Sequence, residues 1–341
     1  MFIYEINPNI IYNETNNILY NILYQTKLKI KKLCENDETW DKDSIKLEFS
    51  YFTKKILNNN KNYISYVNSS NAYYKCWEML NWLYQNNLIN FNKIIIFDNG
   101  ALPGDFILAC ESFFNKIKKD FDWYANSYIH GLNDRYGIYE CNKNKFTMNS
   151  KYNGDITIGE NRDFILSKVK NKKINFYLSD VCGKFNDRMN EEKEFFILLK
   201  SSIELGLKIL EKHGLFICKL FTFLNNNTKI LLSQLIRCFD KSFFIKPKMS
   251  KPDNSEIYIC CVDYIYNIDY SDNNIIDFLF IQNILINNQC NKIIENIENY
   301  KKNKRKYYDK NEIYEWANNI NLNSAIYLNP FRTKKVYMDK I

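Results

Sequence analysis

The chain has 341 residues, 46% of them hydrophobic and 25% charged, which suits a globular protein with at least one sizeable core and is too polar for a membrane protein. No run of about 18 apolar residues occurs, and the opening MFIYEINPNIIYNETNNILY lacks the basic start and small-residue cleavage site of a signal peptide, so a soluble, intracellular protein is expected. The net charge of +8 fits a polyanionic partner such as nucleic acid, while a composition rich in Asn, Ile, Lys, Tyr and Phe and poor in Gly and Pro, as an AT-rich coding sequence gives, accounts for it equally well.

Residues 1–65 mix short apolar runs with Asn, Lys and acidic turns and are read as an N-terminal extension. From 66 to 264 apolar strand-like runs alternate with amphipathic helical patterns, the signature of a mostly parallel sheet covered by helices. Ser69 and Ser70 cap a predicted helix, NAYYKCWEMLNWLYQN, with Ala72, Cys76, Met79 and Leu83 on one face. KIIIFDNG (93–100) is a strand ending in an acid, ALPGDF turns into the helix FILACESFFNKI, and FDWYANSYI is a second strand. A long polar loop leads to GDIT (154–157) and a helix from Asn161. KINFYLSD (173–180) is a third strand, MNEEKEFFILLKSSIELGLKILEK a long helix and GLFICKLF (214–221) a fourth strand. A further helix follows, then SFFIKPK and SEIYICCVDY, whose short connection predicts an antiparallel hairpin at a sheet edge. Residues 265–341 read as a mostly helical C-terminal extension, with the basic run KKNKRK at 301–306 followed by Tyr307 and Tyr308. That run suits either an RNA backbone or a solvated helix face. The ten cysteines form no CxxC pair and only His130 and His213 accompany them, so we expect core-filling thiols of a reducing compartment and no metal centre.

Three positions carry chemistry. The turn after Asp98, N-G-A-L-P-G, lets a ligand approach the backbone at the place where open α/β sheets bind ligands, but it lacks the GK[ST] of a phosphate loop. Asp180 ends the KINFYLSD strand. Lys219 lies inside an otherwise apolar strand, where a charged lysine costs several kcal/mol unless it is paired, loses its proton or reaches solvent.

The series Lys75 in NAYYKCWEM, DNGALPGDF, GDIT, LSDV, HGLFICKLF and KPDNSEIYIC, in this order and spacing from about 69 to 264, resembles the FtsJ/RrmJ-like ribose 2′-O-methyltransferases. The likeness is greatest to the cap-specific mRNA branch of eukaryotes and large cytoplasmic DNA viruses. The resemblance implies a Rossmann-like, seven-stranded, S-adenosylmethionine-dependent α/β fold. It also implies a catalytic Lys-Asp-Lys-Glu tetrad, matched by Lys75, Asp180, Lys219 and Glu256. Gly100, Ala101, Pro103 and Gly104, with Asp98, would lie at the methionine and ribose parts of the cofactor, and Asp155 at the adenine amino group. Leu102 and Asp105 depart from the small residues common beside the proline. The acid that would anchor the cofactor ribose after the second strand is not evident, Asp122 coming early and Asn126 late. In the implied reaction a ribose hydroxyl needs positioning and a base, and Lys219 is assigned that role. Neighbouring carboxylates pull its pKa up while Lys75 and desolvation pull it down, and both directions stay open.

The expected activity is therefore methyl transfer to the first transcribed nucleotide of capped mRNA. The implied partners are the capped 5′ end and other capping or polyadenylation proteins, in the cytoplasm or a viral factory if the source is viral. The same chemistry on ribosomal or transfer RNA, and a noncatalytic RNA-binding or processivity subunit of the same fold, are the alternatives.

Overall fold

The computed structural model describes residues 1–9, 17–36, 40, 48–58, 70–128, 134–183, 185, 187, 189–265, 274–302 and 308–322. Seven strands, Phe2–Glu5 (β1), Lys93–Asn99 (β2), Asp120–Asn126 (β3), Phe176–Ser179 (β4), Leu215–Leu220 (β5), Phe239–Lys246 (β6) and Ile257–Tyr264 (β7), form one sheet in the order β1-β6-β7-β5-β4-β2-β3. β3, β2, β4 and β5 run parallel to their neighbours, whereas β5–β7, β7–β6 and β6–β1 are antiparallel. The sheet is thus α/β as expected, but mixed rather than mostly parallel. The hairpin β6–β7 inserts β7 beside β5, and the outermost position is filled by β1, from the stretch read as an N-terminal extension.

Nine helices of two turns or more are described: Asn17–Asn36 (α1), Phe49–Asn58 (α2), Asn71–Gln85 (α3), Asp105–Lys116 (α4), Gly159–Val169 (α5), Glu191–Ile209 (α6), Asn226–Arg237 (α7), Leu279–Lys301 (α8) and Lys310–Asn319 (α9). α3 and α4 cover one face of the sheet, packing Met79, Leu80, Phe106 and Phe113 into the cluster that holds Ile94, Ile96, Leu178, Ile217 and Tyr258. α5, α6 and α7 cover the other face, with Ile165, Phe195, Leu199 and Leu232 against Phe97, Tyr177, Phe216 and Ile259. Covered on both faces, β5 is buried at every residue, which is why its sequence is a nearly continuous apolar run.

Ser70 caps α3 as expected, its Oγ accepting from the Ala72 amide at 3.1 Å, while Ser69 lies outside the described residues. Of the predicted stripe Cys76, Met79 and Leu83 are buried and Ala72 is half-buried, and α3 is buried far beyond that stripe because the C-terminal segment lies along its outer side. The Trp77 indole donates to the Ile320 carbonyl at 2.8 Å, and Trp316 and Ile313 of α9 join the same core cluster. Seven cysteines are buried as small hydrophobes, whereas Cys34 is half-buried and Cys141 and Cys182 are exposed. Of the basic run at 301–306, only Lys301 and Lys302 fall within the described residues, at the end of α8. Among the described residues no helix is long and apolar enough to cross a membrane.

Candidate active site

The carboxyl ends of β2, β4 and β5 come together at one edge of the sheet, and the chain reverses its spread between β2 and β4, the position where ligands bind in open α/β sheets. Side-chain alternation then decides which residues meet. Lys219 on β5 is directly opposite Tyr258 on β7, so both project from the same face of the sheet, and Glu256, two residues before Tyr258, shares that side. This is the face that α3 covers, and α3 brings Lys75 to it.

The result is two ion pairs, buried but for a half-buried Asp180. Lys75 Nζ lies 2.6 Å from Glu256 Oε1, with 11% of each side chain exposed. Lys219 Nζ lies 3.1 Å from Asp180 Oδ1, with 6% and 19% exposed, and it also donates to the Asp180 carbonyl oxygen at 2.9 Å. The four residues matched by spacing thus converge, and Lys219 does not reach solvent. Around them stand partners that the sequence analysis did not single out. The Tyr258 hydroxyl donates to Asp180 Oδ1 at 2.8 Å, and the Ser250 hydroxyl donates to Glu256 Oε1. Lys246 holds the approach to β7, donating to the Glu256 carbonyl at 2.7 Å and to Asn254 O and Oδ1 at 3.0 and 3.1 Å. Burial outweighs the pull of Glu256 and Asp253 and lowers the Lys246 ammonium to about 8. Glu78 of α3, fully buried, accepts the Lys248 and Met249 amides at 2.9 and 3.0 Å and so ties Lys75's helix to the turn that carries Ser250. Tyr258 was legible as the strand neighbour of Glu256 on the same face; Ser250 and Glu78 had no local signal.

The electrostatics answer the question left open by sequence. Burial pushes the Lys219 ammonium towards deprotonation, but the charge of Asp180, with Cys182 and Glu256, outweighs it, and the pKa is raised. Burial likewise pushes the Glu256 carboxyl up, yet Lys75, Lys219 and the hydrogen bonds from Lys75 and Ser250 win and hold it at about 2. Charged pairs of this kind are costly to break, about 3–5 kcal/mol for removal of one partner, because the other is left buried alone.

Beside the tetrad a cleft of about 500 Å³ opens between the ends of β2, β3 and β4. Gly100, Asn126, Asp155, Asp180 and Val181 line it, with Ile197 and Leu198 of α6 on the apolar side. Gly100 stands at φ +84°, and a β-carbon there would lie 2.9 Å from Val181 Cγ1. Its amide and that of Ala101 donate to the Asn126 carbonyl at 2.8 and 3.1 Å, which pins the glycine turn to the end of β3. The Asn126 side chain bridges Asn99 Oδ1 and the Gly154 carbonyl, leaving its own Oδ1 buried without a partner. Asp155 Oδ1 accepts from the Thr157 amide and hydroxyl, both at 2.8 Å.

Ala101, Pro103 and Gly104 belong to the turn but are not among the residues lining the cleft. Asp98 lies one residue off the cleft-lining Asn99 and so faces the α3 and α4 side. It is buried, neither carboxylate oxygen has a hydrogen-bond partner, and burial followed by the charges of Asp180 and Asp105 drives its pKa well above the usual carboxylate range. Asp105 also stands away from the cleft, accepting the Ser70 amide at 3.0 Å and the Tyr136 hydroxyl at 2.9 Å. Asp122 is engaged elsewhere by Lys145 at 2.7 Å, so Asn126 is the polar end of β3 that the cleft receives.

A family model described as FtsJ-like methyltransferase matches residues 69–264. EP424R of African swine fever virus (isolate Pig/Kenya/KEN-50/1950), named a probable methyltransferase, is 32% identical over 209 residues, which cover 56% of this chain and 48% of the viral protein. The human protein named cap-specific mRNA (nucleoside-2′-O-)-methyltransferase 1 is 33% identical over 141 residues, 39% of this chain and 16% of the human protein. The chain thus spans about half the length of the viral relative and a smaller share of the human one.

Proposed function

The chain belongs to the FtsJ-like methyltransferase family, and from that premise we propose that it moves a methyl group from S-adenosylmethionine to the ribose 2′-hydroxyl of the first transcribed nucleotide of capped mRNA. The observation that carries the reading is the buried Lys219, paired with Asp180 at the sheet edge beside the cleft. The cap is the substrate favoured because the human relative's name specifies it.

The cleft suits the cofactor on its own chemistry. The orphaned Asn126 Oδ1 is an acceptor in need of a donor, which a ribose hydroxyl supplies, and Asp155 offers its second carboxylate oxygen to an exocyclic amine. Ile197 and Leu198 give apolar area for a base. Bound there, S-adenosylmethionine supplies an electrophilic methyl group on a sulfonium cation.

The remaining work falls to the chain. An ammonium has three N–H groups, and two of Lys219's are committed to Asp180. The neutral amine keeps two N–H groups, enough for both Asp180 oxygens, and so frees its lone pair for the substrate's hydroxyl proton without loosening its hold. Asp180, itself oriented by Tyr258, aims that lone pair. Lys75, held by Glu256, places a second cation at the site to favour the developing alkoxide.

The test incubates purified protein with radiolabelled-methyl S-adenosylmethionine and short RNAs bearing a methylated-guanosine cap, an unmethylated cap or a 5′-triphosphate. Label on the first ribose 2′-oxygen of capped RNA alone, lowered about 100-fold or more in Lys219→Ala, is the expected result. Label on uncapped RNA transfers the substrate to ribosomal or transfer RNA, and near wild-type transfer by Lys219→Ala defeats the base assignment.

A further inference from the structure

A second opening, of about 530 Å³, lies outside the cleft and is walled by Glu48, Tyr51, Lys54 and Lys55 of the N-terminal segment, Asn71 of α3 and Lys251 of the β6–β7 turn. Most of this wall is outside the family match at 69–264, while Asn71 and Lys251 lie within it, near Lys75 and Glu256 along the chain. Asn71 is four residues before Lys75, so the two side chains stand one helical turn apart on the same face of α3. Lys251 follows Ser250, whose hydroxyl holds Glu256.

The chemistry of the opening is unfinished. Lys251 is answered by Glu48 at 2.7 Å. Lys54, by contrast, makes no hydrogen bond or ion pair among the described residues, although it is half-buried. Burial is the main reason its pKa is lowered, and it is close enough to Asp105, Arg135, Glu48 and Lys75 to feel their charges. The Asn71 Oδ1 atom is buried without a hydrogen-bond partner. The ring of Tyr51, 38% exposed, stands on the same wall. Among the described residues the half-desolvated ammonium has no anion in contact and the buried carbonyl oxygen has no donor, while the exposed Tyr51 ring meets only the adjacent Phe52, edge to face at 5.5 Å between centroids. A nucleotide supplies all three at once: a phosphodiester, a ribose hydroxyl and a base. A plain anion would satisfy only the lysine.

We propose that this opening is an RNA subsite that holds the nucleotide next to the one methylated, with Lys54 on its phosphate, Asn71 on its ribose and Tyr51 against its base. The identification of the ligand as RNA rests on the methyltransferase reading above; the placement of the subsite rests on the unmet polar groups and their nearness to Lys75 and Glu256. The N-terminal segment then does more than flank the catalytic unit, since it supplies two of the three contacts.

The experiment measures binding by fluorescence anisotropy of a 3′-labelled, short capped RNA across a salt series, for the full chain and for Lys54→Ala, Lys54→Arg and Tyr51→Ala. Methyl transfer by the wild-type chain is assayed separately. A single lost phosphate contact predicts that Lys54→Ala binds about fivefold more weakly at low salt and that its salt slope falls by about one, while Lys54→Arg keeps both. Tyr51→Ala weakens binding with the slope unchanged, as a lost stacking contact does. Unaltered affinity and slope in Lys54→Ala, with the wild-type melting temperature, overturns the subsite, as does a wild-type chain that binds no RNA. Lys54-dependent binding by a chain that transfers no methyl group keeps the subsite and sinks the methyltransferase reading. Methyl transfer with Lys54-independent binding does the reverse.

Discussion

At the position of Lys219 two opposing influences act on one nitrogen, and the structure decides between them. Removal from water favours the amine, but Asp180 at 3.1 Å favours the ammonium more strongly, and the pKa is raised above the ordinary 10.5. The resting lysine is therefore charged, and the neutral amine that the proposed mechanism uses as base is a minority form whose population grows tenfold per pH unit. Single-turnover methyl transfer is accordingly expected to rise through the neutral range without a plateau. Asp180→Asn, which removes the charge that holds the proton, should lower the rate and move the inflection to lower pH. An inflection near neutrality in the wild-type chain would show that a different group titrates. Glu256 makes the complementary prediction for stability. Its folded pKa of about 2 lies below the ordinary 4.5, so its contribution is fully present above about 4.5 and is lost as pH falls from there towards 2. The shift corresponds to roughly 3 kcal/mol. Urea unfolding should find Glu256→Gln less stable than the wild type by about that order at neutral pH, the two converging near pH 2; a constant gap across the range would contradict the linkage.

Among the elements, α6 shows how closely the sheet is covered. Gly206 sits in the last turn of that helix, where alanine would still ordinarily be favoured, by up to about 1 kcal/mol. A β-carbon at Gly206 would come within 2.5 Å of Phe216 Cε2 and 2.8 Å of Tyr177 Cδ1. Those rings cannot swing aside, because Phe97, Tyr177 and Phe216 stack face to face across adjacent strands at centroid distances of 6.0 and 5.1 Å. Overpacking at about 1–3 kcal/mol outweighs the propensity gain, so Gly206→Ala is expected to lower Tm by a few degrees. A rise in Tm would mean that the helix can lift from the sheet. The strands under α6 were readable because each is a short apolar run bounded by turn residues, and α6 because its apolar positions recur at helical spacing. β1 was not readable: FIYE is four residues long, and its partner β6 lies some 240 residues away in sequence. The sheet's mixed character comes mainly from the β6–β7 hairpin, legible as antiparallel but read as lying at the edge, where the structure sets β7 against β5 and adds β1 outside β6. In the site, Lys75, Asp180, Lys219 and Glu256 were legible through their flanking motifs, and Tyr258 was deducible from strand alternation. Ser250 and Glu78 were not, because each reaches the site through tertiary packing that no local pattern encodes, and Lys54 and Tyr51 come to their separate opening in the same way.

For the molecule as a whole, the segment matched by the family, residues 69–264, is not a self-contained packing unit. Phe49 of α2, Ile313 of α9, Ile320 and Leu322 all belong to the core cluster that contains Trp77 and the α3 side of the sheet. Burial of these four side chains contributes about 6–12 kcal/mol at the usual rate, an upper bound since unfolded chains already hide some surface. That is comparable to the entire net stability of an ordinary domain, about 5–15 kcal/mol. The remaining extension elements act on the same unit. α8 packs beside the end of β5 and the β6–β7 turn, with Gln282 donating to the Phe223 carbonyl at 2.7 Å and Gln289 to the Asp253 carbonyl and Ser255 hydroxyl, both at 3.1 Å. Loss of β1 would leave β6 as an open edge displaying unpaired backbone groups. A fragment of residues 69–264 should therefore bind a hydrophobic dye, self-associate and melt well below the full chain, and its Lys75–Glu256 pair should fail with it because α3 loses the support on its outer side. Restoring residues 1–68 and 265–322 should recover the cooperative transition. A monodisperse fragment melting within a few degrees of the full chain would show instead that α3 is held by the sheet alone, and that the extensions serve only the substrate.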